Sequence, residues 1–204
     1  MVIDPGGTKK EGSPVPDPDP IERPVPPHLE EILSPAAIRD GIAATAGKVA
    51  AWCREVLEAD GRQVLAVCVL RGGVFFFSDL LQQLPVTVEP AFCRCASYAK
   101  EANHAPEARV EVDLYDLSLA GRSVLLVDNI CDTGRTLRTL TARCAREGAA
   151  AVRSVSLILR VRAGALARPD WSVFELEDPA WLVGYGLRDR DHLMNYPAIY
   201  RVAP

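Results

Sequence analysis

The chain has 204 residues, 49% of them hydrophobic, with 27 acidic against 23 basic side chains and a formal net charge of -4. That length and apolar content suffice for one domain with a sizeable buried core, and the acidic balance argues against a nucleic-acid partner, which leaves a basic footprint. No early basic-then-apolar run resembles a signal peptide and no apolar stretch reaches membrane-spanning length, so the reading is a protein with no membrane partner and a cytoplasmic location.

Residues 1–27 include VPDPDPIERPVPP, proline-rich and acidic without apolar periodicity. They read as a disordered or extended tail, with a proline-motif docking segment as the functional alternative, before a domain over residues 28–204. Ser34 followed by Pro35 marks a helix start, and Ile38, Ile42, Val49 and Trp52 then fall on its inward face. A strand from Val64 to Leu70 runs into Arg71-Gly72-Gly73 and a second helix with Phe76, Phe77, Leu80 and Leu81 on its apolar side. The twin glycines bare backbone amides to an oxyanion, and Arg71 adds a cation at the same strand end. Cys93 and Cys95 alternate on one strand and point the same way. With no second ligand cluster, and with His28, His104 and His192 lacking metal spacing, they read as reduced thiols rather than a metal site or a strained pair. From Tyr98 to Ala108 the chain is polar, contains Pro106 and lacks apolar periodicity, which predicts a loop.

Ser123 to Leu137, SVLLVDNICDTGRTL, is the most informative segment. Val124 to Val127 predict a central parallel strand, whose C-terminal end is where ligands bind in an open α/β sheet. Asp128 and Asn129 follow with acceptors suited to a sugar's vicinal hydroxyls. Cys131-Asp132-Thr133-Gly134-Arg135-Thr136 then form a turn into a helix that continues through Leu137, Leu140 and Cys144. Its unpaired backbone amides favour an anion, and Gly134 allows close approach while the threonines add hydroxyls. No Gly-Lys-Ser/Thr ends the turn, so it is not a Walker loop. Asp132 also suits a helix N-cap, and Cys131 is an expected oxidation-sensitive position.

This segment resembles the ribose-phosphate signature of the type I phosphoribosyltransferases, closest to the hypoxanthine-guanine phosphoribosyltransferases, and the similarity extends over about Ile32 to Ile199. The resemblance implies an α/β fold with a central, mostly parallel sheet flanked by helices and a small hood from the C-terminal segment. It implies an enzyme that moves a phosphoribosyl group from phosphoribosyl pyrophosphate to a purine base and releases pyrophosphate, with Mg²⁺ as cofactor and a homo-oligomeric assembly. By the same resemblance, Asp132 exchanges a proton with the base and Asp128 and Asn129 grip the ribose. Thr133, Gly134, Arg135 and Thr136 hold the 5′-phosphate, and Leu70, Arg71 and Gly72 hold pyrophosphate around a cis bond at Leu70-Arg71. Ser97 and Tyr98 belong to a mobile loop, Trp181 stacks on the base, Leu182 meets its edge, Arg160 or Arg162 reads its oxygen, and Asp128 and Asp189 face the metal.

The chain also departs from that pattern. Asn129 replaces the second turn acid, Arg188 stands where the family has a magnesium-linked acid with Asp189 next, and Met194 replaces an arginine that contacts pyrophosphate. Three functions therefore follow: transfer to hypoxanthine or guanine, transfer to another nucleobase, or a non-catalytic nucleotide-binding or regulatory role. The intact Asp-Thr-Gly-Arg-Thr turn favours the enzymes.

Overall fold

The computed structural model describes residues 24–98, 109–188 and 192–203. A six-stranded sheet is built from β2 (Leu65–Leu70), β3 (Glu89–Tyr98), β4 (Arg109–Asp113), β5 (Ser123–Cys131), β6 (Ala151–Arg160) and β7 (Trp171–Leu176). Its order is β4-β3-β2-β5-β6-β7, with every neighbouring pair parallel except β3 and β4. The mostly parallel sheet expected from the sequence is thus present. Its central strands are buried on both faces, which is why β2 and β5 read as continuous apolar runs rather than alternating ones.

Helices α1 (Pro35–Asp60) and α2 (Val74–Gln83) pack on one face and α3 (Arg135–Arg146) on the other. Ser34 caps α1, its side chain accepting a hydrogen bond from the Ala37 amide at 3.2 Å, with Pro35 in the first turn. Ile38, Ile42, Val49 and Trp52 face inward as the spacing predicts. Gly61, at φ 65°, ends the helix in the left-handed conformation. On the opposite face, Leu140 and Cys144 of α3 are buried against Val67, Leu126 and Cys93.

The hood is a separate three-stranded antiparallel sheet in the order β1-β9-β8, from β1 (Leu29–Leu33), β8 (Leu182–Val183) and β9 (Ile199–Val202). The expected C-terminal hood is therefore joined by an N-terminal strand that the sequence reading did not identify. LEEIL is only five residues long, with two adjacent acids where alternation would put an apolar side chain. Arg201 of β9 ties the layer together, pairing with Glu30 and, at 3.2 Å, with Asp178. Leu182, Tyr185, Leu187 and Ile199 sink into the main core, and the Tyr185 hydroxyl donates to Asp79 of α2, which fixes the hood over the sheet.

Strand β5 differs from expectation. It continues through Asp128 and Asn129 to Cys131, because the long strand β6 keeps pairing with it: Asp128 lies opposite Ser156 and Cys131 opposite Leu159. Asp128 is thereby set on a strand and not on a free loop. Of the tail read over 1–27, residues 1–23 lie outside the described residues; of the loop read from Tyr98 to Ala108, Tyr98 ends β3 and 99–108 lie outside them, as does Asp189.

Candidate active site

Chain order along the sheet reverses between β2 and β5, the place where an open α/β sheet leaves a crevice at its strand ends. Two adjoining cavities open there. One, of about 260 Å³, is lined by the β5 end and the Asp132–Thr136 turn, together with Ser154, Ser156 and Pro169. The second, of about 480 Å³, is lined by Leu70, Arg71, Gly72, Arg94, Trp181, Leu182, Arg188 and Met194. Both share Val69, Asp128, Asn129, Ile130 and Thr136.

The turn is held by local geometry. Gly134 sits at φ 73° and caps α3, leaving Arg135 and Thr136 in the first helical turn. A Cβ on Gly134 would lie 2.1 Å from the Ala167 carbonyl oxygen, so the backbone of the 161–169 loop presses directly on the turn. The Leu166 amide donates to the Thr133 carbonyl at 2.8 Å across the same contact. Asp132 is therefore not the N-cap that the sequence also allowed, since Gly134 takes that position. Its carboxylate instead accepts a hydrogen bond from Arg162 Nη1 at 2.7 Å, with both side chains about half exposed. Arg162, one of two candidates for reading the base, is thus engaged by Asp132. Arg160, the other, donates through Nη2 to the carbonyl oxygen of Ala180, the residue before Trp181, and its Nη1 is buried without a partner among the described residues.

The Arg71 loop is equally constrained. The Leu70-Arg71 bond is cis, the bond the resemblance singled out. A Cβ on Gly72 would stand 2.5 Å from Asn129 Nδ2, and one on Gly186, at φ 88°, would stand 2.1 Å from the Gly72 carbonyl oxygen. Only glycine fits at Gly186, against the Gly72 backbone, and a side chain at Gly72 would displace the Asn129 amide. Trp181 is 62% exposed at the cavity mouth, its indole N–H donating to the Arg188 carbonyl at 3.2 Å, whereas Leu182 is buried in the main core. Ser97 and Tyr98 end β3 as strand residues, with nothing described of their side chains.

Electrostatics centre on Asp128. Burial pushes its carboxyl up to about 7, partly offset by the Asn129 amide donating at 2.8 Å. A divalent cation suits such a carboxylate, because it would supply the charge that the protein withholds, and magnesium commonly takes one or two protein carboxylates with its remaining ligands from water and phosphate. No group of three or more His, Cys, Asp or Glu side chains that could cage an ion occurs among the described residues. The fit is therefore to a metal held at Asp128 and by substrate, with no carboxylate at position 188 to hold another. Burial, Asp128 and Asp132 push the Cys131 thiol up to about 11, away from the thiolate on which the expected oxidation sensitivity depends. Cys93 is buried and Cys95 partly so, both as free thiols.

Arg94 is the site residue that sequence reasoning missed. Its signal was a lone cation in the apolar run FCRC. That it borders the cavity depends on parallel register, which places it beside Leu70.

Comparison with known proteins agrees with this geometry. A family model described as a phosphoribosyl transferase domain matches residues 36–190. The hypoxanthine-guanine phosphoribosyltransferase of Cricetulus griseus is 33% identical over 189 residues, covering 83% of this chain and 84% of that protein. Among solved structures, a hypoxanthine phosphoribosyltransferase from Staphylococcus aureus superposes with a TM-score of 0.75 at 23% identity, over 87% of this chain and 93% of that one. The hypoxanthine phosphoribosyltransferase of Trypanosoma cruzi, solved in complex with the product IMP, gives a TM-score of 0.74 at 24% identity, covering 89% and 98%. With its fold, its strand-end turn and most of its length matched in this way, the chain belongs to the phosphoribosyl transferase domain family.

Proposed function

We propose that this protein transfers a phosphoribosyl group from phosphoribosyl pyrophosphate to hypoxanthine or guanine, releasing pyrophosphate, as a purine-salvage enzyme. The observation that carries the reading is the convergence of two strand-end anion loops, Asp132–Thr136 and Leu70–Gly72, on a common floor of Asp128 and Asn129 with an exposed tryptophan at the mouth. Relatives named as hypoxanthine-guanine phosphoribosyltransferases over most of the chain support the same substrates.

In this reading the first-turn amides of α3 and the Thr133 and Thr136 hydroxyls hold the 5′-phosphate at a helix N-terminus. Asp128 and Asn129 accept from the ribose hydroxyls, which turns the ring so that C1 faces the larger cavity. Trp181 offers a flat face to the base. The Arg160 guanidinium carries only donors, so it accepts a 6-oxo group and rejects a 6-amino group. Asp132 takes the proton from the attacking base as the bond to C1 forms and the bond to pyrophosphate breaks. Arg71 and the amides around Gly72 receive the charge developing on the leaving diphosphate. Magnesium, when bound at Asp128, would add neutralisation of that diphosphate.

A cytoplasmic setting and a homo-oligomer belong to the same proposal. Six free cysteines suit a reducing compartment, and no described helix is long and apolar enough to cross a membrane. Val74, Phe75 and Phe92 leave large apolar side chains exposed on α2 and β3, which supports self-association. Calorimetry tests the reading at its first step: phosphoribosyl pyrophosphate with magnesium should bind, and Gly134→Ala, which drives a Cβ into the Ala167 backbone, should abolish binding. A parent protein with no measurable affinity would overturn it.

A further inference from the structure

A continuous chain of hydrogen bonds runs from the hood sheet to Arg160 at the end of β6. Glu30 of β1 pairs with Arg201, which lies opposite it in register on the central hood strand β9. Arg201 Nη1 pairs at 3.2 Å with Oδ2 of Asp178, in the segment between β7 and β8. The other carboxylate oxygen, Oδ1, accepts from the Ala180 amide at 2.8 Å, a local turn closed by a side chain. The Ala180 carbonyl oxygen in turn accepts from Arg160 Nη2. One residue on, the Val202 amide donates to the Trp181 carbonyl at 2.9 Å, so β9 holds this peptide segment at a second point.

The bond to Ala180 decides what Arg160 has left to give. A guanidinium carries its donors in one rigid plane, so holding Nη2 restricts where Nη1 can be aimed. Nη1 is buried and has no partner among the described residues, and a buried charged donor left unpaired is costly until a ligand satisfies it. The carboxylate that sets the Ala180 peptide is itself held as an anion: the Ala180 amide first, and Arg201 after it, keep the Asp178 carboxyl below the usual carboxylate range. Glu30, Arg201 and Asp178 remain partly open to water, and ion pairs of that kind add little to stability. We propose that Asp178 and Arg201 are positioning residues for base selection, holding the Ala180 carbonyl so that Arg160 presents Nη1 as the donor to the 6-oxo group of the base. This inference rests on the reading of Arg160 as the group that meets the base oxygen, and it adds the hood residues that set its donor.

The test is calorimetry of the full chain with the nucleoside monophosphates of hypoxanthine and of adenine, beside steady-state rates with each base. Asp178→Ala and Arg201→Ala should each cut the preference for the hypoxanthine nucleotide by about tenfold or more, the size expected when one charge-assisted contact is misplaced. In turnover the same loss should fall on KM for hypoxanthine, with KM for phosphoribosyl pyrophosphate unchanged within about twofold. Arg201→Lys keeps a charged donor for Asp178 and should restore part of the preference. In an Arg160→Ala background, Asp178→Ala should alter the preference by less than about twofold, because it acts through Arg160. The single variants at Asp178 and Arg201 should melt within about 4 °C of the parent, which separates a misplaced donor from a lost fold. The same loss from Asp178→Ala with and without Arg160 would overturn the proposal. A parent that transfers phosphoribosyl groups to 6-oxopurines, with the preference unaltered in both alanine variants, sinks this inference alone. A parent whose nucleotide preference is lost in the variants but which transfers to no base sinks the catalytic reading alone.

Discussion

Asp132→Asn separates chemistry from structure at one carboxylate. Asp132 and Arg162 form a 2.7 Å ion pair with side chains 51% and 49% exposed, and a pair so open to water contributes at most about 1 kcal/mol to stability. The Asn variant keeps the side chain's size, keeps an oxygen for Arg162 to donate to, and leaves the cap to Gly134. Its melting temperature should therefore shift by no more than about 2–4 °C. If Asp132 takes the proton from the attacking base, turnover should fall by about 10²-fold or more, near 2.7 kcal/mol in the barrier. The rate effect then exceeds the stability effect by well over a factor of two, so the two cannot be confused. Steady-state release of pyrophosphate with hypoxanthine gives the rate, and calorimetry gives phosphoribosyl pyrophosphate affinity, which should change much less. Unchanged turnover would reduce Asp132 to a surface partner of Arg162. Equal losses of rate and affinity would make it a binding group instead.

Trp181→Ala should weaken nucleoside monophosphate binding by about 1–3 kcal/mol and leave phosphoribosyl pyrophosphate binding nearly intact, measured by parallel titrations; equal losses for both ligands would assign the indole to packing. Gly72→Ala places a methyl group 2.5 Å from Asn129 Nδ2 and should cut pyrophosphate affinity at least tenfold in the same calorimeter, since either the Asn129 side chain or the loop must shift at the floor of the site. Asp128, raised from 3.8 to about 7, is protonated in the fold and ionised in the unfolded chain between those values, so its contribution to stability falls as pH rises from about 4 to about 7 and is level beyond. Asp128→Asn should accordingly gain little in melting temperature at pH 4 and most above pH 7, while losing phosphoribosyl pyrophosphate binding; a pH-independent difference would refute the buried-carboxylate assignment.

What could be read from the sequence was whatever depends on local pattern. The Ser34-Pro35 start of α1, the apolar cores of β2 and β5, and the glycine-containing turn before α3 each declare themselves within a few residues, because capping, burial and left-handed backbone are local demands. The resemblance supplied the cis bond at Leu70-Arg71 and the hood. Pairing between distant segments was not legible. Whether β5 ends at Val127 or Cys131 is decided by the length of β6, and β1 exists as a strand because β9 returns beside it. The same limit hid the Asp132–Arg162 pair and Arg94's place in the cavity, both products of strands and loops meeting from more than twenty residues away.

The most direct measurement is the product itself. Protein incubated with phosphoribosyl pyrophosphate, magnesium and, separately, hypoxanthine, guanine, adenine, uracil and orotate should form the nucleoside monophosphate of the two 6-oxopurines. One pyrophosphate should appear per nucleotide, with adenine at least about 10²-fold poorer because it offers a donor where the Arg160 guanidinium requires an acceptor. Nucleotide formation from a pyrimidine in preference to both 6-oxopurines, or from no base at all, would contradict the account.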